Sequence, residues 1–526
     1  MIRPRIRPDM TPRTIARVPC ALVAAVMAGC APTGGANRAE FIEPPAMERT
    51  IAIAGVKTVE GAAAWPGAQW WRAFRNSQLN SLVERALDDN QSLRKAADTL
   101  RAAEANVELE GSRLTPFVEA DLQYRQYRYA EHGVAASLNP NQAGLNKSAA
   151  FLNPLSAKWE IDFWGKNRAL LDASIGEARA KAGELEQTQL LIATGVARAY
   201  LRGYMLANQL KLASEIMTLR REVRLLAETR YQAGLDTLDN AQLARLAEET
   251  AVRRVASLRA AISIQENALA RLIGQGPDAT RGLFSGKQTV ALAQPALPKR
   301  LPVELLIHRP DLAAALHRAE AAAERIHVAK TLFLPSIDLS VSAGVEASTT
   351  SSQFGLLGGY LFAPGAMVYN VAPGLHLPIF QGGKLSGNLE ASRSEYDQAV
   401  DVYNETLLAA AQQVADALAN LKRARTEYAS QTRFVARRRT SVELARTRLR
   451  EGLRDRRETI QEYADLLDAR LIERGLEGDR LVAAVDLFQA LGGGYADGPR
   501  PSDPKPAPEA DPITPVVDTF QYATGG

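Results

Sequence analysis

The chain has 526 residues, and 46% of them are hydrophobic, enough to bury real cores and to exclude a disordered chain. Its formal net charge of +4 is confined to the first 29 residues, where Arg3, Arg5, Arg7, Arg13 and Arg17 face only Asp9. The remainder is therefore neutral, which excludes the basic footprint of a nucleic-acid binder, and two cysteines leave no room for a disulfide framework.

Residues 1–29 read as an export signal: an arginine-rich start, an apolar run from Val18 to Ala28 and a small-residue end. Met10 serves equally well as the start. The apolar run is too short for a permanent span, and no later window reaches the roughly 18–20 apolar residues that a membrane helix needs. Met27-Ala28-Gly29-Cys30 resembles a bacterial lipobox, which makes Cys30 the expected lipidation site. Cleavage there discards Cys20, and the lipid consumes the remaining thiol. Ala31 lacks the aspartate that marks many lipoproteins for the inner membrane, so the outer membrane is the expected destination. Residues 30–78 are the lipid-anchored N-terminal segment.

From residue 79 onward one unit is written twice, as 79–276 and 303–495, joined by a 277–302 linker or equatorial segment. Leu93, Val107 and Pro116 fall on Leu312, Ile326 and Pro335; Gly165, Thr229, Gly234 and Gly274 fall on Gly383, Thr447, Gly452 and Gly492. Each unit reads as a helix, two strands, a very long helix and a second long helix. Strands are expected near 117–129, 152–163, 336–346 and 367–380. In Leu155–Phe163 the odd positions are apolar and the even ones polar, a period of two. Their length and two-faced pattern match transmembrane β-barrel strands. Four strands cannot enclose a wet lumen, and an open edge in lipid is costly. Either the sheet is soluble with one solvated face, or several chains pool strands.

Long helices are expected near 166–233, 237–273, 384–451 and 456–491. The first, free of proline, would run roughly 100 Å at 1.5 Å per residue. Ile192, Val196, Ala199, Gly203, Leu206, Leu210, Ala213 and Met217 make a heptad seam along it, and Val400, Tyr403, Leu407, Ala410, Val414, Ala417 and Leu421 repeat the seam in the second unit. Between paired helices stand the turns Arg230–Leu235 and Arg448–Leu453, each with the glycine that a reversal favours, Gly234 and Gly452. Residues 496–526, rich in Pro, Asp and Gly, read as a disordered tail.

Trp70-Trp71-Arg72-Ala73-Phe74, Asn90-Gln91-Ser92-Leu93, Trp159 to Lys166, Arg309-Pro310-Asp311-Leu312, Phe333 to Ile337, Leu377 to Gly383 and Ala490 to Tyr495 resemble, in order and spacing, the TolC/OprM-type outer membrane efflux proteins, specifically their NodT-like lipoprotein branch. The resemblance covers about residues 30–495. It implies an α + β membrane protein: a homotrimer whose chains each give four strands to a 12-stranded outer-membrane β-barrel, continued through the periplasm by an α-helical barrel. It implies passive conduction of drugs or other small molecules, with a periplasmic adaptor and an inner-membrane pump of the resistance-nodulation-division type as partners. By the same resemblance Arg230, Tyr231, Gly234, Leu235, Arg448, Gly452 and Leu453 are the adaptor-docking tips. Asp239, Asn240, Arg454, Glu458 and Gln461 line the periplasmic aperture. Gln461 stands where relatives carry an acid, so less negative charge is expected there, with Arg454 binding Asp239 or Asn240 between neighbouring hairpins as a latch.

No enzyme chemistry is legible, and no cofactor or metal is expected. His308, His317 and His327 do not share a helix face, and no HExxH occurs. Pro378–Leu385 brushes against a P-loop but has Pro for the first glycine and Leu for the magnesium-binding hydroxyl. Rival readings are a periplasmic coiled-coil adaptor or scaffold lipoprotein, a type I protein-secretion channel, and an envelope enzyme, which lacks a site.

Overall fold

The computed structural model describes residues 38–55, 58–59, 65–286, 288–292, 297–298, 308–349 and 359–495. The export signal, Cys30, parts of the 277–302 linker and the 496–526 tail lie outside the described residues. The helices are α1 (Glu48–Ala54), α2 (Ser77–Asp89), α3 (Gln91–Gly111), α4 (Val134–Leu138), α5 (Lys166–Gln232), α6 (Leu238–Leu272), α7 (Pro310–Thr331), α8 (Lys384–Arg450) and α9 (Arg456–Ala490). The strands are β1 (Thr58–Val59), β2 (Phe117–Arg128), β3 (Asn146–Ile161), β4 (Leu297–Pro298), β5 (Ser336–Thr349) and β6 (Met367–His376).

The four long strands form one antiparallel sheet in the order β2-β3-β5-β6, so the hairpin of each half meets the other through β3 and β5. Register makes the sheet two-faced. Val118, Ala157, Val341 and Val371 stand in one row across all four strands, and Leu122, Leu152, Val345 and Met367 in another. The row on the other face is Glu119, Ser156, Ser342 and Asn370. A bulge in β3 at Asn153-Pro154 keeps the faces consistent, since the extra residue absorbs a one-residue phase slip. It is also where a proline, lacking an N–H, fits an inner strand. The bulge explains why alternation is visible in sequence only from Leu155, although β3 begins at Asn146. Gly344 faces the bulge: a Cβ there would lie 2.3 Å from the Leu152 carbonyl oxygen. β5 runs on to Thr349, and β6 stops at His376, ahead of Pro378.

The helices leave the sheet through Gly165 and Gly383, both left-handed (φ +76° and +85°). Asp162 accepts from the Asn167 and Arg168 backbone N–H groups, and Trp164 Nε1 donates to the Pro335 carbonyl at 2.7 Å. α5 and α8 each have 67 residues. α5 packs on α3 and α7 towards the sheet and on α6 and α9 away from it, while α8 packs on α7 and then α9. Close approach needs small residues: at Gly183 a Cβ would lie 2.9 Å from the Pro310 carbonyl oxygen. Arg309, buried at the head of α7, donates to the Ala490 carbonyl, to Gln413 and to both Asp311 carboxylate oxygens, tying α7, α8 and α9 together.

Around the middle of the helices lies an aromatic core. Trp70, Trp71, Phe74 and Leu79 pack against Tyr200, Leu201, Leu269 and Phe488, with the Trp70 ring stacked on Phe488 at 5.1 Å. The buried Tyr200 hydroxyl meets Asn76 and Gln78 at 3.0 Å each, and burial pushes its pKa up to about 12. This core sits on one face of α9. On the opposite face a stripe runs at heptad spacing through Asp465, Asp468, Asp479 and Asp486.

Candidate functional site

Two surfaces stand out, the rims of the sheet and the far ends of the helix pairs. β2 and β6 are exposed along their whole length, and each leaves one edge unpaired. Large apolar side chains crowd the strand region: Leu122 is 74% exposed, Met367 81% and Tyr369 80%. Phe163, Ile379 and Phe380, equally bare, mark the level at which strands give way to helices. No described helix is long and apolar enough to cross a membrane.

The far ends are two reversals with one backbone design. After α5, Gly234 N donates to Tyr231 O and Leu235 N to Arg230 O; after α8, Gly452 N donates to Leu449 O and Leu453 N to Arg448 O. Both glycines are left-handed, at φ +71° and +74°, the conformation that closes this six-residue cap. Leu235 and Leu453 project into solvent. Thr237 and Asp455 cap the returning helices by accepting backbone N–H groups of Asn240 and Arg457.

The side chains differ where the backbones agree. Asp236, in the first reversal, receives Arg457 Nη1 at 2.6 Å and lies 3.7 Å from Arg230, which also reaches Asp455 at 3.8 Å. Asn240 donates to Asp236 at 2.7 Å. That bond, the Thr237 N–H and then Arg457 hold the Asp236 carboxyl below its ordinary 3.8. Arg456 pairs with Glu222 at 2.6 Å, and the Tyr463 hydroxyl with Glu215 at 2.7 Å.

Of the aperture residues read from sequence, the chain brings Arg454, Glu458 and Gln461 onto the first turns of α9 and Asp239 and Asn240 onto those of α6. The expected bond from Arg454 to Asp239 or Asn240 is absent within the chain. Arg454 instead spans its own helix, to Glu458 at 3.0 Å and Glu462 at 3.4 Å, because those acids lie one and two turns ahead on the same face. The two reversals are joined by Arg457–Asp236 and Arg230–Asp455. Sequence reading missed Asp236 and Asp455 as partners; the only signal was their place at the starts of the returning helices.

Above the tips a charged band crosses all four helices. Arg254 of α6 meets Asp468 at 2.8 Å; Arg220 of α5 lies 3.8 Å from both Asp465 and Asp468 and donates to Gln461; Arg438 of α8 approaches Glu462 and Asp465 at 3.5 and 3.9 Å. Gln461 therefore works as a link, donating onward to Asp465 at 2.7 Å. His308, His317 and His327 are apart, and no group of metal-binding side chains occurs among the described residues.

A model of the outer membrane efflux protein family matches residues 82–275 and 301–493. Among curated relatives, the pyoverdine export outer membrane protein OpmQ of Pseudomonas putida is 29% identical over 447 residues, covering 84% of this chain and 92% of its own. The multidrug resistance outer membrane protein MdtQ of an Escherichia coli O6:H1 strain is 28% identical over 491 residues, covering 91% and 98%. The crystal structure of the outer membrane protein VceC of Vibrio cholerae superposes with a TM-score of 0.71 at 27% identity, over 82% of this chain and all of that one.

Proposed function

The chain belongs to the outer membrane efflux protein family, and from that premise we propose that it is the outer-membrane channel of a tripartite efflux system. It passes small molecules outward passively, from an inner-membrane pump of the resistance-nodulation-division type through a periplasmic adaptor. The observation that carries this reading is the sheet, apolar on one face, polar on the other and unpaired at both rims. Backbone groups at a bare rim in lipid go unsatisfied. Joining β6 of one copy to β2 of the next removes every edge, and three copies of four strands give a 12-stranded barrel with room for a wet lumen.

The apolar rows then face lipid, the Glu119 row faces the lumen, and the helices extend the conduit below. The aspartate stripe of α9 lines its wall, opposite the aromatic core, and the charged band links the two hairpins of each protomer near the closed end. Leu235 and Leu453 are the docking contacts for the adaptor, and Asp239, Asn240, Arg454, Glu458 and Gln461 surround the aperture.

The N-terminal segment supports a lipid anchor at Cys30. Arg38 and Ala39 N–H groups both donate to the Asp397 carboxylate, Asn404 brackets Glu40 and Ile42, and Phe41 meets Tyr403 edge-on. This strap runs antiparallel to α8, towards the sheet. The eight residues from Arg38 back to Cys30 extend up to about 28 Å, whereas α8 climbs only about 20 Å from Asp397 to Lys384. The anchor therefore reaches the Phe163–Phe380 level.

Outer-membrane fractionation with gel analysis tests the reading: a heat-modifiable trimer is expected in the outer membrane. A monodisperse monomer in the detergent-free soluble fraction would overturn it.

A further inference from the structure

Beneath the aromatic core the seam between α8 and α9 is interrupted by unbalanced charge. Arg425 follows the buried Leu421 and Ala424 down the face of α8 that packs on α9, and Tyr428 follows one turn on. From α9, Arg480 lays its guanidinium over the Tyr428 ring, 4.2 Å from the centroid. Its Nε is shut off from solvent and has no hydrogen-bond partner. Neighbouring cations are served: Arg474 by Glu477 at 2.5 Å and Arg423 by Glu427 at 2.7 Å. Arg425 and Arg480 have no carboxylate within ion-pairing distance among the described residues. Burial and the charge of Arg480 both lower the Arg425 pKa. Two like charges in a half-buried seam are unfavourable until a counter-charge joins them.

The seam opens on the side of the aromatic core, since Ala484, one turn above Arg480, packs in that core with Phe488. The described chain ends on the same side at Tyr495, whose carbonyl lies 3.1 Å from His308 Nδ1, just after Gly494 abuts Gly67 and Ala68. Beyond it the sequence holds Asp497, Asp503, Glu509, Asp511 and Asp518 against Arg500 and Lys505, with prolines at 499, 501, 504, 506, 508, 512 and 515. Gly492 to Arg480 is twelve helical residues, roughly 18 Å. Tyr495 to Asp503 is eight residues, roughly 25 Å in the polyproline conformation that such a sequence favours.

We propose that the acidic C-terminal segment turns back along the outer face of α8 and α9 and seats a carboxylate, with Asp503 the first in reach, between Arg425 and Arg480. It is an internal counter-ion that fastens the chain end to the tunnel wall.

Thermal unfolding of the purified channel in detergent tests this, comparing full-length protein with a chain lacking 496–526, in chloride and in inorganic phosphate at equal ionic strength. Truncation is expected to lower the midpoint by about 2–4 °C in chloride, and phosphate to restore it. In an Arg425→Gln, Arg480→Gln background truncation and phosphate should both be without effect. A truncated chain as stable as the full chain overturns the proposal. So does phosphate stabilising the full chain as much as the truncated one, which would mean a site open to free anions.

Discussion

The sheet and the helical body of this chain are finished to different degrees. Around the middle of the helices, Phe74, Leu79, Tyr200 and Leu269 are wholly buried by residues of the same chain. In the sheet, β2 and β6 bury nothing and keep one rim each unpaired. The helical body can therefore hold its shape with local partners, while the sheet is a fraction of a structure that only further copies and lipid complete. Assembly and stability should thus fail separately when each region is damaged.

The largest effect is expected in the sheet. Gly344→Val puts a side chain into the Leu152 carbonyl beside the bulge, so β3 and β5 cannot pair in register. Heat-resistant trimer should disappear from outer-membrane fractions, whereas Ser342→Ala, two residues away on the same face, should leave it intact. Damage to the body should act on stability and spare assembly. Phe74→Ala empties a fully buried site, at a cost of about 3–5 kcal/mol, and denaturant unfolding should show it in trimers that still form. If Phe74→Ala abolishes trimers while Gly344→Val does not, the contrast between the regions is wrong.

Smaller effects belong to the tips. Asp455→Ala removes the cap of α9 and one partner of Arg230, and should cost about 1 kcal/mol, read as a modest fall in unfolding midpoint. Arg457→Ala cuts the link between the reversals and should raise single-channel conductance in planar bilayers. The same link gives a pH dependence. Asp236 titrates below its ordinary 3.8 in the folded chain, so its contribution is complete above that value and is lost as pH falls through the depressed pKa. Conductance of the unaltered channel should rise below about pH 4, and that of Arg457→Ala should stay flat over the same interval.

Much of this was legible in local pattern. Alternation from Leu155 to Ile161, the heptad seams and the paired glycines 234 and 452 reflect spacing along one element, which the chain carries within itself. The Arg309-Pro310-Asp311-Leu312 motif was visible as a motif only; its reason, a guanidinium joining three helices, needs coordinates. The aperture was the least legible. Which acid an arginine at a helix turn selects depends on ångström-scale geometry, and Arg454 found acids on its own helix while Arg457 crossed to Asp236.

By itself, then, the sequence determined the two-fold written plan, the two-faced strands and the long unbroken helices, because side-chain period and chain punctuation are properties of neighbours along the chain. Only the tertiary structure decided where β3 bulges, which wall of α9 carries the aspartates and which charges meet at the tips. Those outcomes depend on distances between segments hundreds of residues apart, and a shift of one residue or a few ångströms changes every partner.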